Sequence, residues 1–267
     1  MGFTLIELSI VLVIIGLIVG GVLVGQDLIA AAEVRAQISQ IEKYNTAVNT
    51  FHNKYSGIPG DLAVASASAF GFSVGTNCVG TAGMRDGNGI IDGYSAGGLL
   101  QGVGETGLFW EDLSSANLID IIIPNSGGAS FSCSAGGAVV ASGTGLSAYF
   151  PTAKIGRGNY LYVYEVGGTN YYGLSAVSSN NSSGGMTSGV SIPAVTAYNI
   201  DKKIDDGIPL TGHVTVNYLT AYAVHLAPSA SPAVAASCYD STTTNGAYAI
   251  AVNNGAGLNC ALSFQFQ

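Results

Sequence analysis

Charged residues are scarce in this sequence. Aspartate, glutamate, lysine and arginine together make up 9% of its 267 residues, and the 16 acidic residues outnumber the 8 basic ones. The resulting net charge of −8 would repel nucleic-acid phosphates, so no direct binding of DNA or RNA is indicated. An acidic, lysine-poor chain with 38 glycines is typical of a secreted surface protein.

Cysteine is sparse as well. The four cysteines are Cys78, Cys133, Cys238 and Cys260, and no two of them have the CxxC spacing of a zinc or redox site. An even number of cysteines in an exported chain predicts two disulfides formed in an oxidising compartment. The sequence alone leaves all three connectivities open.

The sequence lacks two motifs that are typical of metalloproteases and of phosphate-binding loops. HExxH and GxxxxGK[ST] do not occur, and His52, His213 and His225 have no spacing typical of metal ligands. We therefore expect no enzymatic activity and no certain cofactor.

Proline is absent before Pro59, and the chain begins with a long uncharged stretch, Leu8 to Gln26. A helix rises 1.5 Å per residue, so about 20 apolar residues cross a hydrocarbon core about 30 Å thick. Beyond this stretch, apolar residues recur at steps of three or four, as on one face of a helix. We predict one helix from Phe3 to Tyr55, apolar all round over 3–26 and amphipathic over 27–56. The recurring apolar residues are Val34, Ile38, Ile41, Tyr44, Val48, Phe51 and Tyr55.

A secretory signal peptide explains this stretch poorly. A signal peptide has a basic start and a cleavage site of small residues after its apolar run. Here no lysine or arginine precedes Arg35, and the apolar run continues directly into the amphipathic pattern. A membrane anchor or a helix packed among copies of itself is the better interpretation.

The first residues resemble a known processing signal. The segment GFTLIELSIVLVIIG, from Gly2 to Gly16, is similar to the N-terminal motif of type IV pilins and of type II secretion pseudopilins. The resemblance implies that a prepilin peptidase cuts after Gly2, that the new N-terminal Phe3 is N-methylated, and that Glu7 acts in assembly. Where many members of the family have a proline, this chain has Val24, and nearby glycines are expected to supply flexibility instead.

The same resemblance implies a fold and a function. The fold would be α+β, with the long N-terminal helix packed on an antiparallel sheet with large loops. Residues 1–2 would be a residual leader, 3–56 the helix, and 57–267 a β-rich globular domain. The protein would be a structural subunit of a type IV pilus-like filament, held in the inner membrane before assembly and then exposed on the cell surface. Its partners would be copies of itself, the prepilin peptidase and the assembly machinery.

Two other functions are compatible with the sequence. A pseudopilin or minor pilin would use the same N-terminal segment in a shorter fibre. A membrane-tethered binding protein would keep the apolar helix in lipid and would not polymerise. Adhesion, motility, DNA uptake and secretion are not distinguished by the sequence.

Glu7 stands directly before the apolar stretch. A lone carboxylate in hydrocarbon costs about 2.5–3.5 kcal/mol or more, so a partner is expected. Cleavage after Gly2 would give Phe3 a positive amine, which could meet Glu7 of a neighbouring copy. Burying the two charges together would offset much of the cost and fix the register between copies.

Beyond the helix, short β-prone runs alternate with glycine, serine and asparagine. We predict strands at 160–166, 171–172, 214–216, 222–225 and 247–252, and short helices at 110–119 and 192–206. The stretch 178–188 is predicted to be a mobile surface loop. The resemblance to pilins favours a Cys238–Cys260 disulfide near the C-terminus, which leaves Cys78 with Cys133.

One loop carries a partial calcium pattern. Asp86, Asn88 and Asp92 offer oxygens at alternating positions around glycines, which suits a hard cation, although the full twelve-residue calcium loop is absent. The alternative is a glycine-rich turn with solvated acids. A second acidic group, Asp201, Asp205 and Asp206, is explained more simply by charge pairing with the lysines beside it.

Overall fold

A single helix forms the N-terminal part of the molecule. In the computed structural model, which describes residues 4–74, 85–92, 99, 101, 103–123, 141–181 and 184–266, helix α1 spans Leu5–Tyr55. It ends at Ser56, which adopts a left-handed conformation and donates its N–H to the His52 carbonyl. The helix predicted from residue 3 to residue 55 is thus confirmed over its described part.

The two halves of α1 have different surroundings. Every predicted apolar position from Val34 to Tyr55 packs into the protein core, fully or in part. From Leu5 to Ile29 the leucine, isoleucine and valine side chains are exposed, and contact with the domain begins near Glu33, which pairs with Arg157. The change from an all-round apolar pattern to an apolar stripe therefore marks where the helix meets the globular domain.

The described part of the globular domain contains three further helices and eleven strands. Helix α1 contacts α3 and α4, and two short 3₁₀ helices lie at Gly143–Ala148 and Asn253–Gly255. The elements are α2 (Val64–Phe70), α3 (Gly104–Ser115), β1 (Ala141–Ser142), β2 (Asn159–Val166), β3 (Thr169–Asn180), β4 (Met186–Gly189), α4 (Ala194–Ile204), β5 (Val214–Thr215), β6 (Asn217–Thr220), β7 (Ala223–Leu226), β8 (Ser229–Ala230), β9 (Tyr239–Asp240), β10 (Ala247–Tyr248) and β11 (Leu262–Gln265).

The long strand β3 organises the main sheet. It pairs antiparallel with β2, β4, β1 and β11, and β11 in turn pairs antiparallel with β5. Strands β6 and β7 form a separate antiparallel pair, whereas the small sheet of β8, β9 and β10 includes a parallel pair, β8 with β9. The α+β class with antiparallel sheets is therefore confirmed, apart from that one parallel pair.

Aromatic rings join α1 to the rest of the core. The ring of Tyr44 on α1 lies 5.0 Å from that of Trp110 on α3, in an edge-to-face arrangement. Tyr172 on β3 stacks on Phe266 at 4.1 Å between ring centres, and Phe109 lies beside both Trp110 and Tyr172. These contacts fix the amphipathic half of α1 against both α3 and the sheet.

Several predicted elements differ in extent. The helix predicted at 110–119 is α3, and it begins six residues earlier, because the buried residues that precede Trp110 continue its packed face. The helix predicted at 192–206 is the shorter α4. Its N-cap residue is Pro193, which makes no side-chain hydrogen bond to the helix end. Only 247–248 of the strand predicted at 247–252 is a strand, and helix α2 was not predicted.

The predicted loop at 178–188 is only partly correct: residues 178–180 and 186–188 lie in strands, whereas the described residues between them, 181, 184 and 185, do not. Strand β3 continues to Asn180, and β4 begins at Met186 and pairs back on it. Met186 is fully buried, which anchors the returning strand. Serine and asparagine composition suggested a loop, but the pairing of these two strands decides the structure.

Candidate functional site at the N-terminal helix

The first turn of α1 is closed by its own side chains. Thr4 is the N-cap, and Glu7 reaches back to it: the Thr4 N–H and hydroxyl both donate to Glu7 Oε2, at 2.8 and 2.7 Å. The Glu7 N–H donates to the Thr4 hydroxyl at 3.4 Å, which completes a capping box. The chain thus holds the Glu7 carboxylate at the very end of the helix, next to the position of the predicted processed terminus. Gly2 and Phe3, the predicted processing residues, lie outside the described residues.

The apolar half of α1 has no packing partner among the residues that the structure describes. From Leu5 to Ile29, every leucine, isoleucine and valine side chain is between 50% and 89% exposed. By length and composition this is the one helix of the described residues that could cross a membrane. A soluble protein rarely leaves so much contiguous apolar surface in water, so this half requires lipid or other protein around it.

Glycines do not interrupt this half. Gly16, Gly20, Gly21 and Gly25 all lie within the continuous helix, and a methyl group added at any of them would meet no other atom of the chain. The expected flexibility at 20–25 is not visible as a break in the helix. Small residues at these points would let another helix approach closely.

The predicted calcium loop is organised around two buried acids that the sequence did not single out. Asp61 accepts the N–H groups of Gly87 and Gly89, at 2.8 and 2.7 Å, and Glu105 accepts those of Asp86 and Asp92, at 3.3 and 2.8 Å. Asp61, Asp86 and Glu105 each offer an oxygen within 4.8 Å of the others. Asp92 is not part of this group of acids, but the Asn88 side chain hydrogen-bonds the carboxyl groups of both Asp86 and Asp92, so the three predicted residues lie close together.

Burial changes the acidity of these carboxyl groups. Burial raises the pKa of Asp61 to about 6, against the lowering effect of its two backbone hydrogen bonds. Burial and the neighbouring Asp61 carboxylate raise the pKa of Glu105 to about 9. An adjacent buried carboxylate, Asp112, is instead paired with Arg85 at 2.7 Å and also accepts the Gly60 N–H. The region therefore contains more buried acid than this one arginine can neutralise, and a cation there would relieve the repulsion.

The second acidic group serves loop structure. Asp201 accepts the Tyr248 hydroxyl at 2.7 Å and the Gly207 N–H at 3.1 Å, and Asp206 accepts the Ile208 N–H and the Thr211 hydroxyl. Asp205 accepts the backbone N–H groups of His213 and Val214. The predicted charge pairing is wrong in its detail, because none of the ion pairs among the described residues joins these acids to Lys202 or Lys203.

The C-terminal cysteines are joined as the resemblance implied. Cys238 and Cys260 form a disulfide with their Cα atoms 4.9 Å apart, and both are fully buried. Ile192 pairs with Cys260 through backbone hydrogen bonds in both directions, so the disulfide ties the loop before β9 to the strand region beside α4. Cys78 and Cys133 lie outside the described residues.

The histidines take part in no cluster of potential metal ligands among the described residues. Among the residues that the structure describes, only the two acidic groups above bring three or more aspartate, glutamate, histidine or cysteine side chains within 4.8 Å of one another. GxSxG spacing occurs at 71–75 and at 93–97. Ser73 follows helix α2 rather than a strand, unlike the nucleophile of a hydrolase elbow, and Ser95 lies outside the described residues.

Comparison with family models, with curated protein sequences and with solved structures gives no match to this chain.

The sequence predicted α1 and Glu7, but it did not predict that Asp61 and Glu105 lie beside the 86–92 loop. Asp61 follows the Gly–Ile–Pro–Gly helix stop and was not linked to the loop 26 residues later that it supports. Glu105 had no signal at all in the sequence, since nothing near it suggested a buried acid. Asp61 and Glu105 are far apart in sequence and meet because α3 packs against the 57–61 turn. The packing is so close that a Cβ on Gly60 would lie 2.3 Å from the Glu105 carbonyl oxygen.

Proposed function

We propose that this protein is a structural subunit of a type IV pilus-like filament, assembled through the apolar half of α1. The observation that carries the proposal is the unpartnered apolar helix from Leu5 to Ile29, joined end to end with an amphipathic half that is packed into a folded domain. A continuous rod of this kind can leave lipid and enter a bundle of identical rods without exposing its apolar surface to water.

Glu7 would select the register within that bundle. In the isolated chain its carboxylate satisfies the N-terminus of its own helix through Thr4. In the filament, after cleavage at Gly2, the same carboxylate would meet the Phe3 amine of a neighbouring copy. A copy placed out of register would leave both charges buried without partners, which is strongly unfavourable.

Two substitutions separate the charge of Glu7 from its capping role. Glu7→Gln keeps a side chain that can complete a capping box but removes the charge, whereas Thr4→Ala removes the cap and keeps the charge. We expect Glu7→Gln to stay in the membrane and to lose surface filaments, and Thr4→Ala to keep them. Glu42→Gln, on the exposed side of the amphipathic half, is the matched control and should assemble normally.

The measurement is electron microscopy of sheared surface filaments, with mass spectrometry of their subunit. A dominant band beginning at methylated Phe3 supports a major subunit. Absence of the protein from surface fibres favours the pseudopilin alternative, and a retained Met1–Gly2 terminus favours a tethered binding protein. Normal filaments from Glu7→Gln would contradict the role proposed for the charge.

We also propose that the acidic loop binds calcium, on the observation that the oxygens of Asp61, Asp86 and Glu105 converge. Calcium at 100 times its dissociation constant should raise the free energy of unfolding by about 2.7 kcal/mol. Thermal unfolding of the folded domain in calcium and in chelator measures this effect. Asp86→Ala should abolish the calcium response, whereas Asp120→Ala, which removes an exposed acid paired with Lys43, should keep it. An equal melting temperature with and without calcium would overturn the proposal.

A further inference from the structure

Three Asn–Gly steps occur in the chain, at Asn88–Gly89, Asn245–Gly246 and Asn254–Gly255. All three asparagines are exposed, and all three glycines have positive φ, of +89°, +70° and +66° respectively. Glycine has no side chain to hinder attack by its nitrogen on the preceding asparagine. On local sequence and exposure alone, the three steps should therefore behave alike.

Their hydrogen bonds differ. The Gly246 N–H donates to the Thr243 carbonyl at 3.1 Å, and the Gly255 N–H donates to the Val252 carbonyl at 2.9 Å. The Gly89 N–H instead donates to a carboxylate, Asp61 Oδ2, at 2.7 Å. Of the three glycine nitrogens, only that of Gly89 is held against a group that can take up its proton.

The Asn88 side chain is held at both ends. Its carbonyl oxygen, Oδ1, accepts the Ile90 N–H at 2.6 Å. Its amide nitrogen, Nδ2, donates to Asp86 Oδ2 at 3.0 Å. A donor thus faces the oxygen on which negative charge would develop during attack at Cγ, and an acceptor holds the nitrogen that would leave.

From this geometry we propose that Asn88–Gly89 is a self-modification site, at which the chain converts its own asparagine to a succinimide and then to aspartate or isoaspartate. The Gly89 nitrogen forms a bond to Asn88 Cγ, and its proton passes to Asp61. The Cγ–Nδ2 bond then breaks, and the amide nitrogen leaves as ammonia with that proton. Water finally adds to one of the two ring carbonyls and opens the ring.

The product differs from the starting chain in charge. One neutral amide becomes a carboxylate, so the net charge changes from the −8 of the sequence to −9. The new charge stands beside Asp61 and Asp86, where it increases the repulsion between acids and the attraction for a cation. The inference does not depend on filament assembly, since it concerns only the loop and its contacts.

The first test compares the three steps within the unmodified protein. The folded chain is incubated at neutral pH in chelator, so that no cation occupies the Asp61 oxygens, and peptide mass spectrometry follows the conversion of each asparagine. Because a positioned base contributes about 10²–10⁴-fold in enzymes, we expect Asn88 to convert at least about tenfold faster than Asn245 and Asn254. The same chain unfolded in denaturant is the control, and there the three rates should converge. An Asn88 rate equal to or below the other two in the folded chain would overturn the proposal.

A substitution tests the role of Asp61 by the sign of its effect. Asp61→Asn keeps an oxygen that can accept the Gly89 N–H but cannot take its proton, so the Asn88 rate should fall by about tenfold or more. If the hydrogen bond instead protected the step, the rate would be unchanged or would rise, which contradicts the proposal. Asp201→Asn, which alters a carboxylate that accepts the Gly207 N–H far from the loop, should leave the Asn88 rate unchanged. The comparison among the three wild-type steps stands even if Asp61→Asn fails to fold.

Discussion

At the scale of single residues, buried carboxyl groups are the least expected feature of this chain. Asp61, Glu105, Asp112 and Asp201 are all buried, whereas the sequence predicted pairing with lysines for Asp201 and did not single out the other three. Three of them accept backbone N–H groups of glycines, and Glu105 accepts those of Asp86 and Asp92. In a glycine-rich chain with few charged residues, buried carboxylates thus fix turns that have few side chains of their own to pack.

Asp201 gives a prediction for the dependence of stability on pH. Burial and the nearby Asp205 and Asp206 raise its pKa from 3.8 to about 6, so the folded state binds the proton more tightly than the unfolded state. Its contribution to stability is therefore present below its unfolded pKa and is lost as the pH rises through about 6. Asp201→Asn keeps the acceptor oxygen without the charge, and should be about 1–2 kcal/mol more stable than wild type at pH 7 and nearly equal to it at pH 4.

Urea unfolding across this pH range measures the difference. The other buried acids titrate in both proteins, so the difference between them isolates Asp201. Asp240→Asn is the matched control, because Asp240 is a turn acid whose pKa is lowered by its hydrogen bonds with Thr242. It should gain no stability at pH 7. A constant difference between Asp201→Asn and wild type from pH 4 to pH 7 would contradict the argument.

At the scale of elements, the periodic spacing of apolar residues correctly predicted the long helix and one strand. The spacing from Val34 to Tyr55 gave the packed face of α1, and the tyrosine-rich run at 160–166 gave β2, because both are periodic and long. Strand β4 and the loop acids were missed because long-range contacts decide them. Met186 is buried by β3 and the β6–β7 pair, and no neighbour in sequence signals that.

The pairing of β2 with β3 depends on one glycine. Tyr162 lies opposite Gly173, and a Cβ at that position would lie 2.1 Å from the Tyr162 ring. The same ring places its hydroxyl to accept the Leu219 N–H at 2.9 Å, which ties the main sheet to β6. We expect Gly173→Ala to displace the ring and to lower the free energy of unfolding by about 1–3 kcal/mol.

Gly189, on β4 of the same sheet, is the matched control. A Cβ there would meet nothing within 4 Å, and its φ is not positive. Gly189→Ala should therefore change stability little, or raise it slightly by restricting the unfolded chain. Chemical denaturation of both variants gives the comparison, and equal losses of stability would contradict the packing argument.

At the scale of the whole molecule, helix α1 has an apolar half that is exposed and a second half that belongs to the core of the folded domain. The domain has its own core, its own disulfide and three sheets, and it does not cover the apolar half of α1. None of the domain residues described in the structure covers the exposed rod, which favours partners from outside the chain. In the proposed function, a membrane would supply them before assembly, and other copies would supply them in the filament.

The most direct test of this account asks whether Glu7 meets the terminal amine of another copy. Filaments are assembled from equal amounts of light and isotopically heavy protein, treated with a zero-length carbodiimide cross-linker, and digested for mass spectrometry. The account predicts Glu7–Phe3 cross-links in which one peptide is light and the other heavy. Cross-links formed only between peptides of the same isotope, or intact filaments with none at all, would contradict it.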